Sequence, residues 1–206
     1  MSNLSDFTIE NGILKGYKGE GGDITIPAGA TDMARSVFSW NDKITSVTIT
    51  EGLTAISECA FHECKNLAKV TIPKSVTNIG RSAFGCCQSL SGMAIPDSVT
   101  SIGDKAFQYC HGITSITIPN SVISIGNGAF YDCENLTKVT IADGVKTIGD
   151  NSFFSCLSLE SIAIPNSVTN IGKDAFAYCK NLTIHTPAGS HAEKYAKENN
   201  IPFIAE

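Results

Sequence analysis

Apolar and polar residues alternate along the chain in a pattern that repeats every 23 residues. The repeat is clearest at one aromatic position, which is held in turn by Phe38, Phe61, Phe84, Phe107, Phe130, Phe153 and Phe176. A period of about 20 to 50 residues is typical of a solenoid, in which each repeat forms one coil and buries its apolar face against its neighbours. The pattern therefore predicts a rod of stacked coils with a row of phenylalanines inside it.

Within each repeat the pattern predicts two extended segments followed by a turn. In the third repeat, Val70 and Ile72 alternate with polar residues, as in a half-buried strand, and Pro73 closes this strand. Ile79 belongs to a second extended segment, and Gly80 then permits a turn. The sequence thus predicts an α/β solenoid. It should be a right-handed superhelix with a parallel sheet on one face and short extended segments and helical turns on the other.

Different patterns flank the repeats at both ends. Residues 1–23 contain two short apolar runs around Asn11-Gly12, which predict a β-hairpin that caps the N-terminal end. Residues 24–181 form seven repeats, and residues 182–206 predict a strand-helix cap. We expect these three parts to form one continuous domain.

The C-terminal cap has a recognisable helix signal. Ser190 and Glu193 have the spacing of a capping box, and the helix is expected to end near Glu198, before Pro202. The segment Phe203-Ile204 is then expected to pack against the last coil. A helix and a strand in this place would cover the apolar end of the solenoid.

Composition and charge argue against several classes of function. Hydrophobic residues make up 42% of the chain and charged residues 17%. The formal charge is −5 without a cluster of Lys and Arg, which argues against nucleic-acid binding. No apolar run approaches the roughly 20 residues needed to cross a bilayer. Residues 1–6 lack the pattern of a secretory signal, so an intracellular protein and a secreted one whose signal was removed both stay open.

Most of the cysteines follow the repeat. Three positions after each core phenylalanine from Phe61 onward lie Cys64, Cys87, Cys110, Cys133, Cys156 and Cys179. We expect a column of reduced thiols packed in the core, since there is no C-x-x-C pair and no Cys/His group with zinc spacing. Disulfides or metal binding are the alternatives, because coils about 4.8 Å apart bring neighbouring thiols close. Cys59 and Cys86 lie off this column and are predicted to be the more reactive thiols.

No catalytic or cofactor-binding pattern accompanies the repeats. The histidines occupy different repeat positions without partners for nucleophilic catalysis, and all four are predicted to face solvent: His62, His111, His185 and His191. The sequence also lacks phosphate-binding glycine motifs and Ca²⁺ loop patterns. We therefore expect a protein that is not an enzyme and has no cofactor or metal site.

Positions that vary between repeats should face outward, and two such sets are candidate binding faces. The first lies between the buried residues of the parallel sheet and comprises Ser46, Thr48, Lys69, Thr71, Ser115, Thr117, Lys138 and Thr140, with Gly92, Ala94, Ser161 and Ala163. Solenoids often bind partners on such a sheet. The alternative is that Thr occurs here for its strand propensity alone.

The second candidate face flanks the core phenylalanines on the opposite side. It comprises Trp40, His62, Tyr109, Tyr131, Phe154 and Tyr178. Aromatic side chains are enriched at the hot spots of protein interfaces. Their alternative role is to cover the turns of neighbouring coils.

The repeat motif L-x-x-V-x-I-P-x-x-V-x-x-I-G-x-x-A-F-x-x-C, seen from Leu90 to Cys110 with Met93 in the Val position, resembles that of the BspA-like class of leucine-rich repeats. The opening segment Phe7–Gly12 and the closing segment Gly189–Ala196 are also similar to the ends of that family. The resemblance covers nearly the whole chain. It implies a cell-surface or secreted bacterial or protist protein that takes part in adhesion, and no catalytic residues.

Repeat pattern and resemblance together favour a non-enzymatic protein-interaction module with adhesin-like ligand binding. The expected partner is a protein on a host or neighbouring cell, and neither nucleic acid nor membrane insertion is expected. A structural spacer or self-assembling repeat scaffold without a dedicated ligand site is the alternative.

Overall fold

The computed structural model describes residues 3–206, which wind into a solenoid of stacked coils. It has one 3-10 helix (Leu4–Asp6) and one α-helix, α1 (His191–Glu198). The strands in chain order are β1 (Phe7–Glu10), β2 (Ile13–Tyr17), β3 (Gly22–Ile26), β4 (Asp32–Met33), β5 (Ile44–Ile49), β6 (Ala55–Ile56), β7 (Lys69–Thr71), β8 (Asn78–Ile79), β9 (Ser101–Ile102), β10 (Ser115–Ile118), β11 (Ser124–Ile125), β12 (Lys138–Ile141), β13 (Thr147–Ile148), β14 (Ser161–Ala163), β15 (Asn170–Ile171), β16 (Thr183–Thr186) and β17 (Phe203–Ala205).

Parallel strand pairing along the chain confirms the predicted solenoid with a parallel sheet. The longer strands of the coils pair in the orders β3-β5-β7 and β10-β12-β14-β16-β17, and the two-residue strands other than β4 pair in the order β15-β13-β11-β9-β8-β6. The register follows the repeat, so that Val47 lies opposite Val70 and Val139 opposite Ile162. Because each coil repeats the same pattern, equivalent residues stack above one another.

The parallel sheet is interrupted at the fourth coil, which the repeat pattern did not predict. Residues 91–95 form only an isolated bridge between Gly92 and Lys69, and the sheet divides into one of three strands and one of five. Gly92 and Ala94 are weak strand formers. Met93 replaces the usual β-branched residue and is only partly buried. The interruption therefore has a local cause in the sequence.

The turns around the core phenylalanines are not helical, so the prediction of helical turns was wrong. Residues two positions before and after each of these phenylalanines have positive φ, namely Ser36 and Trp40, Cys59 and Glu63, Ser82 and Cys86, Lys105 and Tyr109, Gly128 and Asp132, Asn151 and Ser155, and Asp174 and Tyr178. From Ser36 to Ser155, their N–H groups donate to the next coil, as from Trp40 to the carbonyl of His62 at 2.8 Å. Since alternate donors leave the coil, the continuous i to i−4 bonding of an α-helix cannot form.

The phenylalanines form a stack inside the solenoid, as predicted. Neighbouring rings lie 4.9–5.4 Å apart with interplanar angles of 3–13°. This spacing is equal to or slightly larger than the roughly 4.7–4.9 Å between hydrogen-bonded strands. At the ends, Tyr17 contacts Phe38 at 5.6 Å and Tyr195 of α1 contacts Phe176 at 5.9 Å. The two end segments therefore continue the aromatic core.

Glycine recurs after the second extended segment of most coils because neighbouring coils pack closely at this position. Gly80, Gly103, Gly126, Gly149 and Gly172 have φ outside the left-handed region. A Cβ on Gly80 would lie 2.7 Å from the carbonyl oxygen of Ile56 in the preceding coil. Glycine is therefore required here because the backbones of neighbouring coils lie close together. The turn itself does not require it, contrary to the expectation from the sequence.

The two ends of the chain cover the coils with regular structure. The hairpin β1-β2 turns at Asn11-Gly12, both with positive φ, and β2 pairs in parallel with β4. At the other end, the Ser190 hydroxyl accepts a hydrogen bond from the Glu193 N–H, and α1 ends at Glu198. Strand β17 pairs in parallel with β16, so Phe203 is half-buried, but Ile204 is 47% exposed and does not pack inward.

Candidate functional site

The structure divides the first candidate face into two patches. Ser46, Thr48, Lys69 and Thr71 lie on β5 and β7, whereas Ser115, Thr117, Lys138 and Thr140 lie on β10 and β12. Residues 91–95 separate the patches. Within the first patch the Ser46 hydroxyl donates to the carboxylate of Asp23 at 2.7 Å, so that side chain is already engaged. The face is therefore not the single flat surface expected from the sequence.

Shallow grooves border the interrupted segment on both sides. One, of about 430 Å³, lies toward Lys69 and Thr71, and the other, of about 490 Å³, lies toward Ser115 and Thr117. Met93 and Ala94 line both grooves. Their apolar lining is aliphatic, with Ile72 in the first groove, Ile116 in the second and Met93 in both, and no aromatic side chain lines either groove.

The second candidate face contains a continuous row of aromatic rings across four coils, here called the aromatic row: Tyr109, Tyr131, Phe154 and Tyr178. Tyr131 and Phe154 stack in parallel at 4.9 Å. Tyr109 meets Tyr131 edge-on at 5.7 Å, and Tyr178 meets Phe154 edge-on at 4.9 Å. The structure thus brings together four of the six residues predicted for this face.

A groove of about 480 Å³ runs beside the aromatic row. Its polar lining includes four residues that directly follow packed glycines, Asp104, Asn127, Asp150 and Arg81, and also Lys105, Gln108 and Asn151. Each of the first three accepts a hydrogen bond from the backbone N–H one coil further on, at 2.7–2.8 Å. The groove therefore combines aromatic surface with fixed acceptors, and sequence analysis missed its polar side. The signal was present, because these residues also recur every 23 positions.

The other two residues of the second face, Trp40 and His62, lie apart from the aromatic row. They meet edge-on at 6.1 Å, and Trp40 is 67% exposed. The Lys65 ammonium lies 6.0 Å from the centre of the Trp40 ring, within range of a cation–π interaction. At the position next to His62 in the following coil stands Gly85, so no side chain there continues the row.

Two histidines lie among other side chains that can bind metals, contrary to the expectation that they face solvent. His62 lies with Glu63 and Cys86, and in each case one potential ligand atom is within 4.8 Å of the others. His111 lies in the same way with Asp132 and Glu134. Both histidines are half-buried. The sequence holds a usable signal for the first group, since Glu63 and Cys86 are 23 residues apart and must stack.

The column cysteines are packed in the core with free thiols. Five of them are buried and Cys179 is half-buried. Each Sγ lies 3.0–3.2 Å from the backbone oxygen of the phenylalanine 26 residues earlier, in a position to donate a hydrogen bond. Burial raises the pKa of Cys64 and of Cys133 to about 12. A buried thiol that donates a hydrogen bond stays protonated, and this favours the prediction that the column is reduced.

The two cysteines outside the column differ in their surroundings. Both are half-buried. Burial, and after it the neighbouring Glu63 carboxylate, raises the pKa of Cys86 to about 11. Because the thiolate is the reactive form, this shift argues against the high reactivity predicted for Cys86.

We expect the unfolded chain, without reductant, to show all eight cysteines as free thiols with a chromogenic disulfide reagent. In the folded chain, Cys59 should react before Cys86, because the thiol of Cys86 has a raised pKa. The variant Cys59→Ser is the control and should lose the fastest phase. A thiol count near zero in the unfolded chain would contradict the reduced column.

Among the described residues 3–206, no helix has the length and apolar character needed to span a bilayer. The one α-helix, α1, has eight residues and lies in the C-terminal cap.

Comparisons with known proteins agree with this geometry. A family model described as "BspA type Leucine rich repeat region" matches six copies over residues 8–114 and 100–196. The solved leucine-rich repeat protein of T. pallidum is 25% identical, with a TM-score of 0.83 over 100% of this chain and 99% of that chain. The pneumococcal vaccine antigen PcpA is 17% identical, with a TM-score of 0.54 over 98% of this chain and 48% of that one. This chain therefore spans about half the length of PcpA. No curated protein sequence matches it.

Proposed function

The chain belongs to the BspA-type leucine-rich repeat family, and we propose that it is an adhesin-like module that binds a partner protein through the aromatic row. Repeats of this family are generally non-enzymatic scaffolds for protein interaction. The family membership confirms the resemblance seen in the sequence. What the proposal adds is the binding face and the kind of partner, a protein on a host or neighbouring cell.

The observation that carries the proposal is the exposure of aromatic rings at positions where folding does not favour them. In the aromatic row, Tyr109 and Tyr178 each lie two residues after a core phenylalanine with φ of 58° and 67°, and Trp40, outside the row, has the same position with φ of 65°. Bulky residues rarely adopt this left-handed conformation, which Gly, Asn and Asp adopt at lower cost. These three rings are 37%, 62% and 67% exposed. Exposed rings at unfavourable backbone positions are better explained by binding than by packing.

The groove beside the aromatic row supports the same face. Covering Tyr109, Tyr131 and Phe154 with a partner would remove apolar surface from water. The acceptors at Asp104 and Asp150 could then orient polar groups of the partner, including Lys and Arg side chains. The sheet face offers no comparable anchor, because its exposed residues are mainly Ser and Thr.

The alternative role as a self-assembling scaffold is disfavoured by the ends of the solenoid. The hairpin β1-β2 pairs with β4 at one end and α1 packs against β15 and β16 at the other, which hinders end-to-end stacking although β3 and β17 remain edge strands. A spacer role would leave the aromatic row unexplained. Because stacking at the ends is hindered, we expect the apparent size of the protein in size-exclusion chromatography not to increase with its concentration.

The parent chain is first tested against a panel of purified extracellular-matrix proteins, and the protein that it binds most tightly and saturably is chosen. We expect Tyr109→Ala/Tyr131→Ala to weaken binding to that protein by about tenfold or more, because aromatic side chains dominate the binding energy of interfaces. The matched control Lys69→Glu/Lys138→Glu changes the sheet face and should leave the dissociation constant within about twofold. Circular dichroism checks that both variants are folded. Loss of binding only in the lysine variant, or no saturable binding of the parent chain to matrix proteins or intact host cells, would refute the proposal.

The proposed location is the cell surface or the secreted fraction, as expected for an adhesin. An antibody against the chain should label intact, unpermeabilised cells of the source organism. Labelling only after permeabilisation would place the chain inside and would remove the adhesin role.

A further inference from the structure

Three side chains with different metal-binding atoms meet between the second and third coils. His62 and Glu63 follow the core phenylalanine of one coil, and Cys86 follows that of the next. One nitrogen, oxygen or sulfur atom from each lies within 4.8 Å of the other two. Imidazole, carboxylate and thiolate are the common ligands of Zn²⁺, with bonds of about 2.0–2.3 Å. Only small side-chain shifts would bring these atoms around one ion.

The imidazole of His62 also lacks a partner that a buried polar atom needs. Its Nδ1 is buried and makes no hydrogen bond within the described part of the chain. Leaving a buried polar atom unpaired is unfavourable, because its hydration is lost without a replacement. Among residues 3–206, His111 is the other histidine with a buried, unpartnered Nδ1, and it also lies in a group of potential metal ligands. The missing hydrogen-bond partner and the proximity to other potential metal ligands thus identify the same two histidines, His62 and His111.

The backbone holds the three residues in place before any ion binds. The N–H of Glu63 donates to the carbonyl oxygen of Gly85 at 2.8 Å, which fixes it beside Cys86. The carbonyl oxygen of His62 accepts from the N–H of Trp40 at 2.8 Å and from the Ser39 hydroxyl at 3.1 Å. Preorganised ligands bind more tightly, since less conformational freedom is lost on binding.

We propose that His62, Glu63 and Cys86 form a binding site for Zn²⁺ or a chemically similar divalent ion. On binding, the Cys86 thiol releases its proton to solvent and its sulfur coordinates the ion, together with a ring nitrogen of His62 and a carboxylate oxygen of Glu63. Three protein ligands leave one position of a tetrahedral ion for water or for a group from a partner. The site lies beside the exposed Trp40, where a partner can reach it.

The neighbouring charge is compatible with this site. The Lys65 ammonium lies 3.6 Å from the Glu63 carboxylate, and both side chains are partly exposed. A partly exposed ion pair of this kind contributes little to stability, so a divalent ion can displace the ammonium without a large penalty. Lys65 can then remain over the Trp40 ring.

The group around His111 provides a comparison within the same molecule. It offers one nitrogen and two carboxylates, from Asp132 and the exposed Glu134, and no sulfur. Oxygen-rich groups on the surface hold Zn²⁺ less well than a site with a thiolate. The two sites can also be told apart by spectroscopy, because only the first can form a metal–sulfur bond.

Titration of the full, reduced chain with Co²⁺ tests the site. We expect one ion per chain and a near-ultraviolet charge-transfer band from sulfur to cobalt, which added Zn²⁺ removes. Cys86→Ser should abolish the band, and His62→Gln and Glu63→Gln should each weaken binding by about tenfold or more. Zn²⁺ should also raise the unfolding temperature of the parent chain more than that of Cys86→Ser.

Two variants serve as matched controls. Cys59→Ser removes the other half-buried thiol at a positive φ, and His111→Gln removes the other unpartnered histidine. Both should keep the band and the affinity within about twofold. Circular dichroism checks the fold of every variant. No band in the parent chain, a band that survives Cys86→Ser, or a band lost in Cys59→Ser would overturn the proposal.

Discussion

Replacing Phe107 with alanine is expected to lower the free energy of unfolding by about 3–5 kcal/mol. The ring is completely buried and stacks between Phe84 at 5.4 Å and Phe130 at 5.2 Å. Its removal would leave a cavity in the centre of the solenoid that neighbouring coils, tied by backbone hydrogen bonds, cannot close. Urea denaturation followed by circular dichroism measures the loss.

Leu157→Ala is the control for this substitution, since Leu157 is also large and apolar but 45% exposed. Its effect should be within about 0.5 kcal/mol, as for most surface positions. A loss below about 1 kcal/mol for Phe107→Ala would mean that the phenylalanine stack does not hold the coils together.

Replacing Gly126 with alanine is expected to destabilise the chain by about 2–3 kcal/mol. A Cβ at this position would lie 2.5 Å from the backbone nitrogen of Asp104 and from the carbonyl carbon of Gly103. These are backbone atoms of the preceding coil, so two coils must move apart to admit the methyl group. The same denaturation experiment measures the effect.

Gly16→Ala is the matched control, because a Cβ on Gly16 would meet only the Thr8 side chain at 4.0 Å. We expect a change of less than about 0.5 kcal/mol there. Ser57 occupies the equivalent column in the second coil, where its hydroxyl donates to the carbonyl oxygen of Met33 at 2.6 Å. The spacing between coils can therefore adjust to a side chain at this column. For this reason we do not expect the loss of stability in Gly126→Ala to exceed the range given above. Equal effects of both substitutions would contradict the packing explanation.

The constant and the variable positions of the repeat have separate roles. Core phenylalanines, column cysteines and packed glycines recur because each coil must fit the next. The aromatic row and the proposed metal site occupy positions that vary from coil to coil, where packing places few demands. Binding groups in a solenoid can therefore change without loss of the fold.

Some features of the candidate sites could be predicted from sequence and others could not. The 23-residue spacing of Glu63 and Cys86 is enough to predict that they stack, and the same holds for Asp104, Asn127 and Asp150. The spacing does not show that the Nδ1 of His62 is buried, nor that Tyr131 and Phe154 stack in parallel. Those facts depend on side-chain rotamers, which the period does not specify.

The sequence by itself determined that the chain is a stack of coils, because a strict period leaves each apolar face only its neighbours to pack against. It also determined the phenylalanine stack and the thiol column. Only the tertiary structure decided that the turns are non-helical, that the sheet breaks at residues 91–95, and which outward side chains touch. The reason is that a repeat specifies equivalence between coils, whereas these features depend on hydrogen bonds and contacts that differ within and between individual coils.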